Sequence, residues 1–138
     1  MDAFDADVLI YSAVPGHPLG RRVAGLFGQA RGTLAGVGSV LLIPEVLSKP
    51  LRDGGPAEVQ ILAGLLARLD LRPVDCATAE LATALAVKYS LRAADAIHLA
   101  TGVVLGADRF LTNNRRDFPA AITEIRVTYP DDLGDETA

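Results

Sequence analysis

Short apolar stretches that suit strands alternate along this chain with longer stretches at helical spacing, and that alternation leaves few folds open. Residues 17–32, HPLGRRVAGLFGQARG, place Leu19, Val23, Leu26 and Phe27 at helical spacing and stop at Gly32. Residues 33–55, TLAGVGSVLLIPEVLSKPLRDGG, begin strand-like and turn helical, with Pro44 near the helix start and Gly54-Gly55 closing the unit. Residues 56–70, PAEVQILAGLLARLD, read as an amphipathic helix opened by Pro56. Residues 71–75, LRPVD, read as a short strand, and residues 76–91, CATAELATALAVKYSL, as a helix with Thr78 as its cap. Residues 92–107, RAADAIHLATGVVLGA, are apolar nearly all round, the pattern of a buried helix. DRFLTNN and TEIRVTYP read as late strands.

Strands alternating with helices build a parallel sheet covered on both faces. The predicted class is therefore α/β. A chain of 138 residues suits one domain over 1–138, with the last few residues expected to form a flexible tail. Half the residues are hydrophobic and only 22% are charged, which supplies a core and excludes a disordered chain. Aromatic residues make up 5% and Trp is absent, which argues against a stacking platform for single-stranded bases. Cys76 is the only cysteine, so neither an intrachain disulfide nor a cysteine-rich zinc site can form. The start, MDAFDADV, lacks the basic region of a signal peptide, and no apolar run approaches ~20 residues. The expectation is a cytoplasmic protein with no membrane partner.

In such sheets ligands bind outside the carboxyl ends of the strands, so polar residues just after a strand are the ones to inspect. Asp5 follows a very short apolar start, Glu45 follows VLLIP, Asp95 lies early in the buried helix, and Asp117 follows RFLTN. Each has an ordinary explanation as a cap, a wet helix face, a charge at a helix N-terminus or a loop acid. Together they are less ordinary, because Asp95 sits on a helix with almost no polar face, where an unpaired carboxylate is costly. Four carboxylates at one sheet end repel, and a divalent cation resolves the repulsion. Mg²⁺ or Mn²⁺ takes oxygen ligands, activates water and stabilises charge on a cleaved phosphodiester. No rival nucleophile stands out: His17 and His98 are the only histidines, no Ser lies in a Gly-x-Ser-x-Gly turn, and Cys76 has no evident partner. His98, three residues after Asp95, shares its helix face and is either a donor to the site or a satisfied core residue.

The net charge of −4 and pI near 5.0 oppose nucleic-acid binding at face value. Four of the 17 acids fall in this candidate site, however, and the remaining 13 balance 13 bases. Eleven of those bases are Arg, which suits phosphate contacts and is also what a GC-rich genome encodes. Arg21, Arg22, Arg115 and Arg116 are the candidates to hold phosphates beside the acids.

FDADVLIYSA, LLIPEVLSKPL, AADAIHLATG and FLTNNRRDF occur in the order and at about the spacing of a PIN domain, and the chain resembles the VapC-type toxins of bacterial toxin–antitoxin pairs. The resemblance spans nearly the whole chain, and Asp-Ala-Ile-His-Leu-Ala is its most specific part. It implies a PIN-like three-layer α/β/α sandwich with a central, mainly parallel sheet. It implies Mg²⁺- or Mn²⁺-dependent endoribonuclease activity through an activated water, a homodimer and a cognate antitoxin protein. Carried over residue by residue, the catalytic and metal-binding acids are Asp5, Glu45, Asp95 and Asp117. The first strand then ends at Asp5 and ADVLIY begins a short helix.

Two positions depart from the family pattern. Asp7 stands where Asn or Ser is usual and is either an auxiliary ligand or a residue supporting the ligands. Asn114 stands at one of two places where the family supplies its fourth acid, so Asp117 is expected to take that role, through a water or at a second metal, with Asn113 or Asn114 positioning it. The apolar helices around VQILAGLLARL and ELATALAV add to the expectation of a homodimer. Two alternatives stand beside the nuclease: a catalytically degenerate PIN-fold binding module, and a haloacid-dehalogenase-type phosphatase with Asp5 as nucleophile. The phosphatase needs a Lys after Thr112, and there is none.

Overall fold

Strand β1 (Asp2–Phe4) stops after three residues because Asp5 turns the chain into a helix. Asp5 keeps extended backbone angles while its Oδ1 accepts a hydrogen bond from the Ala6 amide at 2.8 Å, and helix α1 (Ala6–Ser12) starts there. In this computed structural model, which describes residues 1–30 and 32–134, the expected tail at 135–138 lies outside the described residues. Helix α2 (Pro18–Gln29) opens on Pro18 with His17 as its cap, the ring Nδ1 accepting from the Gly20 amide at 3.1 Å. Strand β2 (Gly36–Ser39) leads into α3 (Leu42–Arg52), and α4 (Pro56–Leu66) follows after Gly54-Gly55. Then come β3 (Leu69–Arg72), α5 (Cys76–Tyr89), α6 (Ala93–Val104), β4 (Arg109–Leu111), β5 (Arg126–Thr128) and a 3-10 turn (Pro130–Asp132).

Two boundaries differ from the sequence reading. Strand β3 begins at Leu69, two residues before LRPVD, because Leu69 pairs with Gly36 and drops into the core, while Pro73 lies past its end and has no amide to offer a ladder. The cap of α5 is Asp75, whose Oδ1 accepts from the Thr78 amide at 2.8 Å; Thr78 itself is buried one turn in.

The sheet order is β3-β2-β1-β4-β5, and every neighbouring pair is parallel. Side chains alternate across it. Phe4 and Leu111 face one way, into a core with Val8, Leu9, Val23, Phe27, Leu42, Val46 and Leu62 from α1 to α4. Ala3, Val37 and Phe110 face the other way, against Leu85, Leu99, Ala100 and Phe118. Helices α1–α4 thus cover one face and α5–α6 the other, the three-layer sandwich that the alternation implied. Each fully buried Leu or Phe contributes about 1.5–3 kcal/mol. Among the described residues no helix is long and apolar enough to cross a membrane.

The chain leaves β1 to build β2 and β3 on one side and returns to place β4 and β5 on the other, so the order reverses between β1 and β4. A crevice opens at the strand ends there. Helix α6 lies close over β1. A Cβ added at Gly102 would stand 3.0 Å from Ala3 Cβ and 3.3 Å from Ile125 Cδ1. Gly102→Val should therefore cost about 1–3 kcal/mol by overpacking. Gly64→Ala, on the open face of α4 with nothing within 4 Å, should gain up to ~1 kcal/mol. Thermal melts check both, and a Gly102→Val chain as stable as wild type would contradict this packing.

Candidate functional site

Asp5 lies at the carboxyl end of β1, at the point where the strand order reverses. The residue after β4 is Thr112, fully buried, whose Oγ1 donates to Asp5 Oδ2 at 2.8 Å across that reversal. The Asp5 amide donates to the Leu111 carbonyl at 2.9 Å, which extends the β1–β4 ladder by one step and fixes the carboxylate over the strand ends. With Ala6 N–H on one oxygen and Thr112 on the other, Asp5 is buried and oriented.

The other acids arrive from separate elements. Asp7, in the first turn of α1, accepts from the Asn113 amide at 3.0 Å, and its other oxygen, Oδ1, is buried with no partner among the described residues. Asp95 lies in the first turn of α6. Asp117 sits in the turn after β4, clasped by Asn114, whose Nδ2 donates to Oδ2 at 2.8 Å and whose Oδ1 accepts from the Asp117 amide at 3.1 Å. Asn114 is held in turn by its own amide donating to Thr112 Oγ1 at 3.1 Å. Glu45 lies in the first turn of α3, and its Oε1 meets Nε2 of His98 at 3.0 Å. Since a carboxylate only accepts, the ring nitrogen donates.

The electrostatics bind these residues into one group. Burial pushes Asp5 above the usual carboxylate range, and the charge of Glu45 adds to the rise, against the Thr112 hydrogen bond and His98. Burial, then the charge of Asp5, pushes Asp7 up to about 7. Asp95 is raised by burial and by the charges of Asp5, Asp117 and Glu45. Among the described residues none of these five acids has a Lys or Arg partner; Glu45–His98 is their one ion-pair contact. The five carboxylates therefore sense one another, with His98 as the one group paired against them among the described residues.

A divalent cation fits that donor set. The side chains are carboxylates with two supporting amides, the hard oxygen donors that Mg²⁺ and Mn²⁺ prefer, and the orphaned Oδ1 of Asp7 is a buried acceptor awaiting a positive partner. Among the described residues no three His, Cys, Asp or Glu are already drawn together into a ligating cluster. Mg²⁺ retains several of its waters, so a site for it does not require a closed protein cage.

The sequence-predicted residues do not all meet at this point. Asp5, Asp7, Glu45, Asp95 and Asp117 lie near enough to act on one another electrostatically, with the Asn113 amide bonded to Asp7 and Asn114 to Asp117. Arg22 is turned to another use: its Nη1 donates to the carbonyls of Asp131 at 2.9 Å and Leu133 at 3.1 Å, and it thereby fastens the last turn. Arg115 pairs with Asp131 at 3.1 Å and lies 4.0 Å over the Tyr129 ring. Arg21 and Arg116 are exposed, and their side chains make no hydrogen bond or ion pair among the described residues. The sequence leaves His98 between a donor to the site and a core residue, and the structure finds it buried and bonded to Glu45. Thr112 is the one that sequence reasoning misses, with no signal beyond its place at a strand end.

The raised acids make stability depend on pH. Between about pH 4 and 7 the unfolded chain releases the Asp7 proton while the folded chain keeps it, so stability falls as pH rises through that window. Asp5 and Asp95 act in the same sense. In metal-free protein Asp7→Asn should flatten the fall in Tm between pH 5 and 8, and Mn²⁺ should raise Tm more at pH 8 than at pH 5. Parallel wild-type and Asp7→Asn profiles would contradict the placement of Asp7 among the acids.

Comparison with known proteins agrees with this geometry. A family model described as PIN domain matches residues 3–122. Among solved structures, a chain of a toxin–antitoxin complex from Klebsiella pneumoniae superposes with a TM-score of 0.73 at 24% identity, covering 94% of this chain and 98% of that one. At that identity the likeness concerns the fold. No curated protein sequence matches the chain.

Proposed function

The chain belongs to the PIN-domain family, whose members are generally nucleases that use divalent metals, and we propose that it is a Mg²⁺- or Mn²⁺-dependent endoribonuclease acting as the toxin of a toxin–antitoxin pair. The observation that carries this reading is a set of five carboxylates at the strand-order reversal that act on one another electrostatically, with no Lys or Arg ion-paired to them among the described residues and with Asp5 oriented by Thr112. Membership in the family removes the phosphatase alternative. The degenerate binding module is disfavoured by the acids themselves, since a fold kept only for binding has no use for destabilising buried charges.

In this reading Asp5, Glu45, Asp95 and Asp117 hold the metal, which when bound supplies positive charge to the scissile phosphodiester and lowers the pKa of a water. The chain's own residues set the geometry. Thr112 and the Ala6 amide aim Asp5, Asn114 aims Asp117, and the Asn113 amide holds one oxygen of Asp7 while its other oxygen is buried without a partner among the described residues. Arg21 and Arg116, exposed and unpaired among the described residues, are the free arginines for phosphates on the approach, whereas Arg22 and Arg115 first have to leave the last turn.

A homodimer and a protein antitoxin complete the proposal. An apolar groove of about 520 Å³ runs between α5 and α6, walled by Ala82, Thr83, Ala86, Val87 and Ile97, and Val87 is 80% exposed. An unsatisfied apolar surface of this kind suits a second copy. The structural neighbour is a chain of a toxin–antitoxin complex, which supports an antitoxin as partner. Such a pair acts in the cytoplasm, where the RNA is.

The purified chain should cleave RNA with Mg²⁺ or Mn²⁺ and stop in EDTA. Asp5→Asn and Asp95→Asn should each lose most activity without loss of folding, and Asp117→Asn should fall by about tenfold or more. Cleavage that persists in excess EDTA, or at the wild-type rate in Asp5→Asn, would contradict the mechanism.

A further inference from the structure

His98, on α6, is 2% exposed, yet the one hydrogen bond of its side chain among the described residues reaches a glutamate whose side chain is 35% exposed. Its other ring nitrogen, Nδ1, is buried with no partner among the described residues. A histidine kept for packing would satisfy both nitrogens or be replaced by an apolar residue, because a buried unpaired nitrogen forfeits its hydrogen bond to water with nothing in return. The one contact that offsets this cost is the bond to Glu45.

That bond joins the two helical layers. Glu45 belongs to α3, on the face covered by α1 to α4, and His98 belongs to α6, on the opposite face. They meet over the carboxyl ends of the strands. Helix α6 carries Asp95 and His98 three residues apart on one face, so it brings one acid of its own and grips another from across the sheet. Glu45 itself is on an exposed turn, and no other side chain among the described residues donates to it. Its rotamer would otherwise be free.

We infer that His98 is a positioning residue, which holds the Glu45 carboxylate by its Nε2–H in the orientation needed to ligate a divalent cation. The inference rests on the metal reading of the same site. A hydrogen bond from behind a ligating carboxylate fixes its direction, and losing such a partner typically costs 10–100-fold in metal affinity.

The test is Mn²⁺ binding to the full chain by calorimetry, separate from turnover. His98→Phe keeps the ring volume and removes the donor; it should weaken Mn²⁺ binding about tenfold. His98→Gln, which can place an amide N–H near the same point, should recover most of the loss. The double variant Glu45→Gln with His98→Phe should bind no more weakly than Glu45→Gln alone, because both remove one interaction. A second readout needs no buried substitution. Mg²⁺ added to wild-type protein should shift the His98 imidazole nitrogen resonances, and in Glu45→Gln it should not. Wild-type Mn²⁺ affinity in a folded His98→Phe chain, independent losses in the double variant, or His98 resonances unmoved by Mg²⁺ in a wild-type protein that cleaves RNA would each overturn the role of His98 alone. A wild-type chain that neither binds Mn²⁺ nor cleaves RNA would overturn the nuclease reading and this role with it.

Discussion

A buried carboxylate with like charges around it is the condition on which this structure turns. Asp5 can lie at the end of β1 only because two donors, the Ala6 amide and the Thr112 hydroxyl, satisfy its oxygens. Both donors are consequences of the fold: one exists because α1 starts there, the other because β4 runs parallel beside β1 in register, with Phe4 opposite Leu111. Even so, burial raises the group, and Asp7 and Asp95 are raised with it. The core on either face, with Phe4, Phe110, Phe118, Leu9 and Leu99 fully enclosed, supplies the stability against which this strain is held.

The layered fold sets who can reach the site. Acids from the α1–α4 layer, Asp7 and Glu45, meet Asp95 from α6 and Asp117 from the turn after β4 only at the strand ends, since the sheet separates the layers elsewhere. Helix α6 is central to that meeting. Its close approach at Gly102 fixes its height over β1, its first turn presents Asp95, and His98 reaches across to Glu45. The apolar groove lies along the same helix, so a molecule seated against Ala96 and Ile97 is a neighbour of Asp95.

Much of this was legible in the sequence because its signals are local. The periods of 17–32 and 56–70 gave α2 and α4, and the all-round apolar pattern of 92–107 gave the buried α6. Asp5, Glu45 and Asp117 stood out by their position after strands and Asp95 by its place on a helix with almost no polar face; the departure at Asn114 was also plain in the sequence, and the structure shows Asn114 clasping Asp117. Contacts between distant segments were not. Nothing near Arg22 announces that it will hold carbonyls 109 and 111 residues away, and nothing near Arg115 announces the pair with Asp131. Thr112 reads as an ordinary strand end until β1 is laid beside it. The cap of α5 went to Asp75 rather than Thr78 because burial of Thr78 overrides its local preference for a helix start.

Anomalous diffraction from a crystal grown with Mn²⁺ shows whether the acids at the β1–β4 reversal hold a divalent metal. A manganese peak is expected among Asp5, Glu45, Asp95 and Asp117, lost in Asp5→Asn. Crystals grown in ample Mn²⁺ with no peak there, or with manganese bound only elsewhere on the chain, would contradict it.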